Sequence, residues 1–481
     1  MNKKADKKAH MPLVNALKKY ADKNSVRFHM PGHKAREEQG FFKIFKENLY
    51  KWDVTELPDL DDLHQAKGVI KKAQQKLASL YGADQSYFLV NGTTSGVIAM
   101  MGAVLYPGDQ VLVPRSCHKS ILSGLILTGA RPVYVMPEID EELGVYTQVT
   151  PKIIARHIEQ NPGIKAVLIT NPVYQGFCPD IKGISKIIKD KDIVLLVDEA
   201  HGAHFRFSPL LPKGAEKYAD AWVQSPHKTL SSFTQSAWLH IKGPKIDRNR
   251  LKDYISLVTS SSPSYILMAS LDKARAQVEL NGEKLVKRAL KLACTARKYI
   301  NKITAFYCVG SELCGHRGIY DVDLTRLMIN VSRAGYTGYE VERILRYKFN
   351  IYAEYADLCN IYFLISFHNT KEDISRLIKA LSNFKQRISI QKSCLYYVLD
   401  EIPKKALDPR EAFNSKKEKV PLKASKGRIC GGAIVPYPPG IPLVMPGEII
   451  ENDHIQILKE ILKNKGYCQG ITASGEIQVI K

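Results

Sequence analysis

The chain has 481 residues, of which 45% are hydrophobic and 25% charged, and its 70 Lys and Arg against 48 Asp and Glu leave a formal charge of +22. This is a globular composition, long enough for roughly two to four domains. The longest apolar runs, such as Ile193 to Val197, are far shorter than the ~18 residues needed to cross a bilayer, so no membrane span is expected. Met1 to Lys8 is basic but leads into mixed polar sequence and not an apolar core, which lacks the anatomy of a secretory leader; a cytoplasmic location is expected. Nine scattered cysteines, none in a C-x-x-C pair, read as reduced packing thiols and not a disulfide framework or zinc finger. Cys314 and His316 are neighbours without a second pair at ligand spacing, so no metal site is expected. The positive charge could serve nucleic acid, but basic stretches such as Lys242 to Lys252 and Lys284 to Lys298 suit solvated helix faces and lack interleaved aromatics for base stacking.

From about residue 65 to 240, apolar runs of strand type alternate with amphipathic helical stretches, the pattern of a mostly parallel sheet with crossover helices. Strands are expected at Tyr87 to Val90, Gln110 to Val113, Pro132 to Val135, Ala166 to Ile169, Ile193 to Val197 and Ala221 to Val223. Their near-continuous hydrophobicity suits a sheet covered on both faces. Ser270 to Lys302, rich in Ala, Leu, Lys and Arg and free of proline, reads as one long helix joining two units. Beyond it, strands are expected at Leu327 to Val331, Ile351 to Glu354 and Ile361 to Phe367, with helices at Gly338 to Phe349 and Lys371 to Gln391. A third region starts near Ser393 and includes the proline-rich Pro436 to Pro442, which favours extended and turn structure. The expected division is residues 1–65 as an N-terminal segment serving the active site and a dimer contact, 66–265 as the major domain, 266–392 as linker helix and small α+β domain, and 393–481 as a C-terminal domain.

In open α/β sheets ligands gather beyond the carboxyl ends of the strands, and the polar motifs fall there. Asn91-Gly92-Thr93-Thr94-Ser95-Gly96 lies between a strand and a helical run, where free backbone N–H groups and hydroxyls can cradle a phosphate; alone it is an ordinary capped turn. Val197-Asp198-Glu199-Ala200-His201-Gly202 puts a carboxylate at the end of the most apolar strand, and Ser225-Pro226-His227-Lys228-Thr229 puts a lysine at the same sheet edge. His118 and Lys119 follow the strand ending at Val113. Each is unremarkable singly, but together they supply what pyridoxal 5'-phosphate requires. These are a lysine to hold it covalently, a carboxylate for its pyridine nitrogen, a flat side chain over its ring and donors for its phosphate.

Asp198-Glu199-Ala200-His201-Gly202 and Ser225-Pro226-His227-Lys228 resemble the cofactor motifs of the Orn/Lys/Arg decarboxylases, which are fold-type-I pyridoxal-phosphate enzymes. His29-Met30-Pro31-Gly32-His33-Lys34, Leu60 to His64, Ser261 to Tyr265 and Val435 to Glu448 continue the resemblance in family order over nearly the whole chain. It is nearest to the short bacterial members without a receiver-like N-terminal domain. The resemblance implies a transferase-like α/β major domain with smaller α+β C-terminal domains. It implies Lys228 as the cofactor-bearing lysine, Asp198 as partner of the pyridine nitrogen and His118 stacked on the ring. Thr94, Ser95, Ser225 and His227 would hold the phosphate, Ala200 would pack on the opposite ring face, and His201 would lie near the reacting end of the substrate. Ser260 would reach the phosphate of a neighbouring subunit, making a homodimer the smallest working unit.

The activity so implied is decarboxylation of a basic amino acid to agmatine or a diamine, arginine being preferred over lysine and ornithine, in either polyamine biosynthesis or acid stress. The rivals are another pyridoxal-phosphate reaction on this fold, such as transamination or elimination, and a nucleic-acid-binding protein using its basic surface. A cationic substrate needs a local acidic pocket to overcome the global charge, and Asp59, Asp61, Asp62, Glu354 and Glu448 are candidates for it.

Overall fold

The computed structural model describes residues 11–303, 306–387, 394, 398–437 and 439–481. Seven strands form the central sheet: β1 (Gln85–Leu89), β2 (Gln110–Pro114), β3 (Arg131–Val135), β4 (Ile164–Thr170), β5 (Val194–Asp198), β6 (Ala221–Gln224) and β7 (Ala237–Ile241). Their spatial order is β1-β7-β6-β5-β4-β2-β3. All neighbours pair in parallel except β7, which is antiparallel to both β6 and β1. The expected strands are present, and β7 is an addition to them.

Alternation along these strands builds two cores. Leu112, Val167, Ile169, Leu195, Val197 and Trp222 face one side, whereas Val111, Val113, Ala166, Leu168, Leu196 and Val223 face the other. The second side is covered by helices α1 (Gly92–Val104) and α2 (Lys119–Thr128), each of which begins at the carboxyl edge of the sheet. Burying one such aliphatic side chain contributes about 1.5–3 kcal/mol, so a sheet covered on both faces is a rigid platform for its rim. Close approach of α1 depends on Gly96, where a Cβ would stand 2.6 Å from Val223 Cγ1 and 2.7 Å from Leu89 Cδ1.

Helix α3 spans Tyr265–Ile300, starting five residues before the expected Ser270 because Ser264 caps it by accepting the N–H of Leu267. It joins two cores: Met268, Leu271, Ala274 and Val278 pack with the major sheet, and Leu292, Ala293, Ala296 and Ile300 with a second unit. That unit is an antiparallel sheet of β8 (Tyr307–Cys308), β9 (Arg326–Asn330), β10 (Tyr355–Ala356) and β11 (Asn360–Leu364) in the order β8-β9-β11-β10. Helices α4 (Gly338–Phe349) and α5 (Lys371–Leu381) share its core. Two expectations are corrected here. The strand expected to reach Glu354 is only Ile351–Tyr352, and it pairs in parallel with Val26–Arg27 from the N-terminal segment. The helix expected to run to Gln391 stops at Leu381, capped at Ser382 before the polar Asn383; positions 388–391 lie outside the described residues.

The C-terminal region packs Cys430, Ile434, Val444, Leu458 and Val479 around a ribbon of Lys417–Pro421 with Glu476–Ile480. Its proline-rich segment is extended or turn as expected, with Val435–Pro436 pairing to Cys468–Gln469; Pro438 lies outside the described residues. One cysteine expectation is overturned. Cys359 and Cys394 form a disulfide with Cα atoms 6.2 Å apart, a pairing the 35-residue separation gave no means to foresee. Among the described residues, no helix is long and apolar enough to cross a membrane.

Candidate active site

The parallel register sets Asp198, the last residue of β5, beside Val223 of β6, and the chain then turns through Pro226–Thr229 to present Lys228 at the same edge. β2 ends at Pro114 and delivers His118 as the N-cap of α2, while α1 begins at Gly92 just past β1. A cavity of about 400 Å³ opens between these strand ends. Thr94, His118, Asp198, Ala200, His201, Ser225, His227 and Lys228 all line it. Eight of the residues expected from sequence are thus neighbours around one space.

Burial shapes their protonation. Desolvation lowers the Lys228 amine from 10.5 to about 8, with Asp198 and Glu354 opposing the shift, so a useful fraction is neutral near physiological pH. Burial raises the Asp198 carboxyl, and the charge of Lys228 works against that. Its Oδ1 accepts the N–H of Ala200 at 3.1 Å, the one hydrogen bond to this carboxylate among the described residues. His201 Nε2 is 2.9 Å from Lys228 Nζ, and burial, then Lys228 itself, hold this imidazole well below its usual range. Burial likewise pushes His118 down to about 3 and His227 to about 4, so both rings are neutral. His118 Nδ1 accepts the N–H of Ser120 at 3.2 Å, which leaves the ring proton on Nε2. His227 Nδ1 donates to the Ser236 carbonyl at 2.8 Å.

Ser95 is not brought to the cavity, and Ser260, expected to serve a neighbouring subunit, lies outside it as well. The Ser95 hydroxyl turns back into its own helix and donates to the Gly92 carbonyl at 2.8 Å; Thr93 lines the cavity instead and accepts the Ser225 hydroxyl at 3.2 Å. Ser260 is exposed away from the cavity, its Oγ taking the N–H of Ser262 at 3.2 Å. Of the acidic candidates, Glu354 alone lines the cavity. Asp61 accepts the backbone N–H groups of Lys67, Gly68 and Ile70, Asp62 accepts that of His64, and Asp59 is exposed. Glu448 is paired with Arg115 through two hydrogen bonds of 2.9 and 2.7 Å.

Sequence reasoning missed Thr93, Tyr146, Tyr174 and Gln175, and it did not place Met30, Tyr437 or Ile441 on the same wall. Tyr174 and Gln175 follow β4 as Asp198 closes β5, so the strand-end rule would have found them. The segments that carry Met30 and Ile441 come from the two extremes of the chain, and no local spacing links them. Gly440 lies between lining residues of this wall: its carbonyl accepts the N–H of Lys119 at 3.0 Å, and a Cβ there would come within 3.0 Å of His118 Nε2.

Comparison with known proteins identifies the family. Residues 11–373 match the Orn/Lys/Arg decarboxylase major domain and residues 392–466 the Orn/Lys/Arg decarboxylase C-terminal domain. The chain is 40% identical over 453 residues to an arginine decarboxylase of Bacillus subtilis, covering 93% of this chain and 92% of that one. It is 39% identical over 456 residues to an arginine decarboxylase of Halalkalibacterium halodurans, covering 93% of each. The crystal structure of a Francisella novicida lysine decarboxylase superposes with a TM-score of 0.76 at 22% identity, over 98% of this chain and 81% of that one. With both family domains matched along nearly the full length, the chain belongs to the Orn/Lys/Arg decarboxylase family.

Proposed function

We propose that this protein uses pyridoxal 5'-phosphate to remove the α-carboxylate of arginine, giving agmatine and CO2. One observation carries the reading. The Lys228 amine and the Asp198 carboxylate meet at one sheet edge in a cavity whose wall also holds a carboxylate, Glu354, from the small sheet's side. Arginine stands ahead of lysine and ornithine because the relatives at 39 and 40% identity bear that name.

The donor set fits the cofactor. Asp198 is a buried carboxylate with one backbone partner, and burial penalises its charge unless a cation meets it, which a protonated pyridine nitrogen does. The neutral, flat His118 imidazole is fixed by Ser120 and by the turn at Gly440, suited to lie against an aromatic ring. Thr93, Thr94 and Ser225 offer hydroxyls at the start of α1, where first-turn N–H groups and the helix dipole favour a phosphate. When bound, the cofactor supplies an electron sink for the bond to the departing carboxylate. Lys228 would hold the cofactor covalently, and the lowered pKa of its amine would favour the neutral form that bonding to the aldehyde needs. His201, 2.9 Å from Lys228 Nζ, shares a proton with it, and these two groups return a proton to the α-carbon after CO2 leaves. Glu354 receives the guanidinium, and Tyr146, Tyr437 and Ile441 exclude water around the reacting end.

A homodimer goes with this reading, with Ser260 exposed on each chain and serving the phosphate of the other, and so does a cytoplasmic role in forming polyamine precursors. The deciding experiment measures CO2 release from arginine, lysine and ornithine with added cofactor, beside a Lys228→Ala variant, while scanning the absorbance of lysine-bound cofactor. Release from arginine, lost with the band in the variant, is the expected result. A band without CO2 from any of the three substrates, or with a keto acid as product, overturns it.

A further inference from the structure

We infer that Tyr174 is a positioning residue that holds both ends of the substrate site at once, fixing the Glu354 carboxylate through its hydroxyl and the His201 imidazole through its ring. This rests on the reading of Glu354 as partner of the substrate's distal cation.

The Tyr174 hydroxyl donates to Glu354 Oε1, and the backbone N–H of Met30 donates to Oε2 at 2.7 Å. Each carboxylate oxygen therefore has one fixed donor and keeps a lone pair free, so the group is presented in a set plane. A guanidinium is a planar fork that bonds a carboxylate through two parallel N–H groups, and that geometry is available only if the carboxylate plane is held. An unrestrained glutamate would have to give up side-chain entropy at each binding event. Burial, then the neighbouring Glu354, raise the Tyr174 phenol well above its ordinary value, so it remains a proton donor at working pH.

The other face of Tyr174 meets His201, with ring centroids 4.5 Å apart at 57°. Behind it, Tyr355 stands edge-on at 4.9 Å and is itself stacked on Tyr362 at 3.9 Å. The Tyr362 hydroxyl donates to Asp357 Oδ2 at 2.7 Å. Tyr174 is thus in contact with both a fixed aromatic pair and the imidazole that touches Lys228. Removing the hydroxyl should loosen only the cation end, and removing the ring should loosen both.

The test compares Tyr174→Phe, Tyr174→Ala and Glu354→Gln in the cofactor-loaded enzyme, following KM and kcat for arginine and, by calorimetry, binding of agmatine. A hydrogen bond to a charged group is worth enough for Tyr174→Phe to weaken KM and agmatine affinity about tenfold. Its kcat and its lysine-bound cofactor absorbance should stay at the wild-type level. Tyr174→Ala should lose kcat as well and alter the pH profile of kcat, so that phenylalanine rescues turnover but not affinity. Tyr174→Phe with unchanged agmatine affinity, while Glu354→Gln binds weakly, overturns the inference and leaves the reading of Glu354 standing. Unchanged affinity in both variants overturns that reading too. The absorbance band shows in every case that the variant has folded.

Discussion

On the proposed reading, Lys228 must react as an amine, and desolvation brings it to about 8, where ammonium and amine are both populated. Below that value the amine carries a proton and cannot attack an aldehyde; above it the neutral form dominates. Covalent capture of pyridoxal phosphate by the cofactor-free protein should therefore speed up about tenfold per pH unit well below 8 and level off above it. Stopped-flow absorbance from pH 6 to 9 reads this directly, and a midpoint near 10.5 would contradict it. The residues that line the cavity were legible in sequence where a strand delivers them: Asp198 closes β5, and His118 and Lys228 stand a few residues past β2 and β6. The Ser95 hydroxyl is kept from the cavity for a local reason. Three residues into a helix, a serine hydroxyl can return to the carbonyl of the first residue, and only the built turn shows that Thr93 keeps its hydroxyl for the cavity. Nor could spacing separate Glu354 from Glu448, because the difference is whether a buried arginine already holds the carboxylate.

That arginine shows how elements depend on one another. Arg115 follows directly on β2 and reaches the C-terminal region, giving two hydrogen bonds to Glu448 and two more to the carbonyls of Pro442 and Leu443. Side chains of both partners are almost fully buried, at 4 and 1% exposure. Truncation by Arg115→Ala leaves an uncompensated buried carboxylate and should cost about 3–5 kcal/mol, seen as a lower midpoint in denaturant unfolding. The segment it anchors includes Gly440 and Ile441, so His118 should lose its restraint before the sheet itself unfolds. Elements with strong periodicity were readable, α3 and α4 above all. β7 was not, since it runs antiparallel after the polar Ser231-Ser232 stretch and closes the sheet against β1, a partner far away in sequence. The two-residue pairing of Val26–Arg27 with Ile351–Tyr352 is too short to leave any pattern.

At the scale of the whole molecule, a formal charge of +22 opposes a cationic substrate, and the acidic pocket acts only at close range. Salt screens the long-range repulsion, with a Debye length of about 10 Å at 0.1 M, more than it screens a contact inside the cavity. The ratio kcat/KM for arginine should therefore rise severalfold between about 10 and 150 mM salt. A falling profile would mean that the field at the cavity mouth is negative.

The cavity wall draws on Met30 near one end of the chain and on Ile441 near the other, with strand ends of the major sheet and Glu354 in between. A ribosome adding residues in order therefore cannot offer the cofactor a finished site until nearly the whole chain has emerged. The N-terminal turn must wait, exposed, for walls not yet made. On the proposed reading, loading would wait until the chain has grown past Ile441, and the yellow of bound pyridoxal phosphate would report that Met30 and Ile441 have reached one wall.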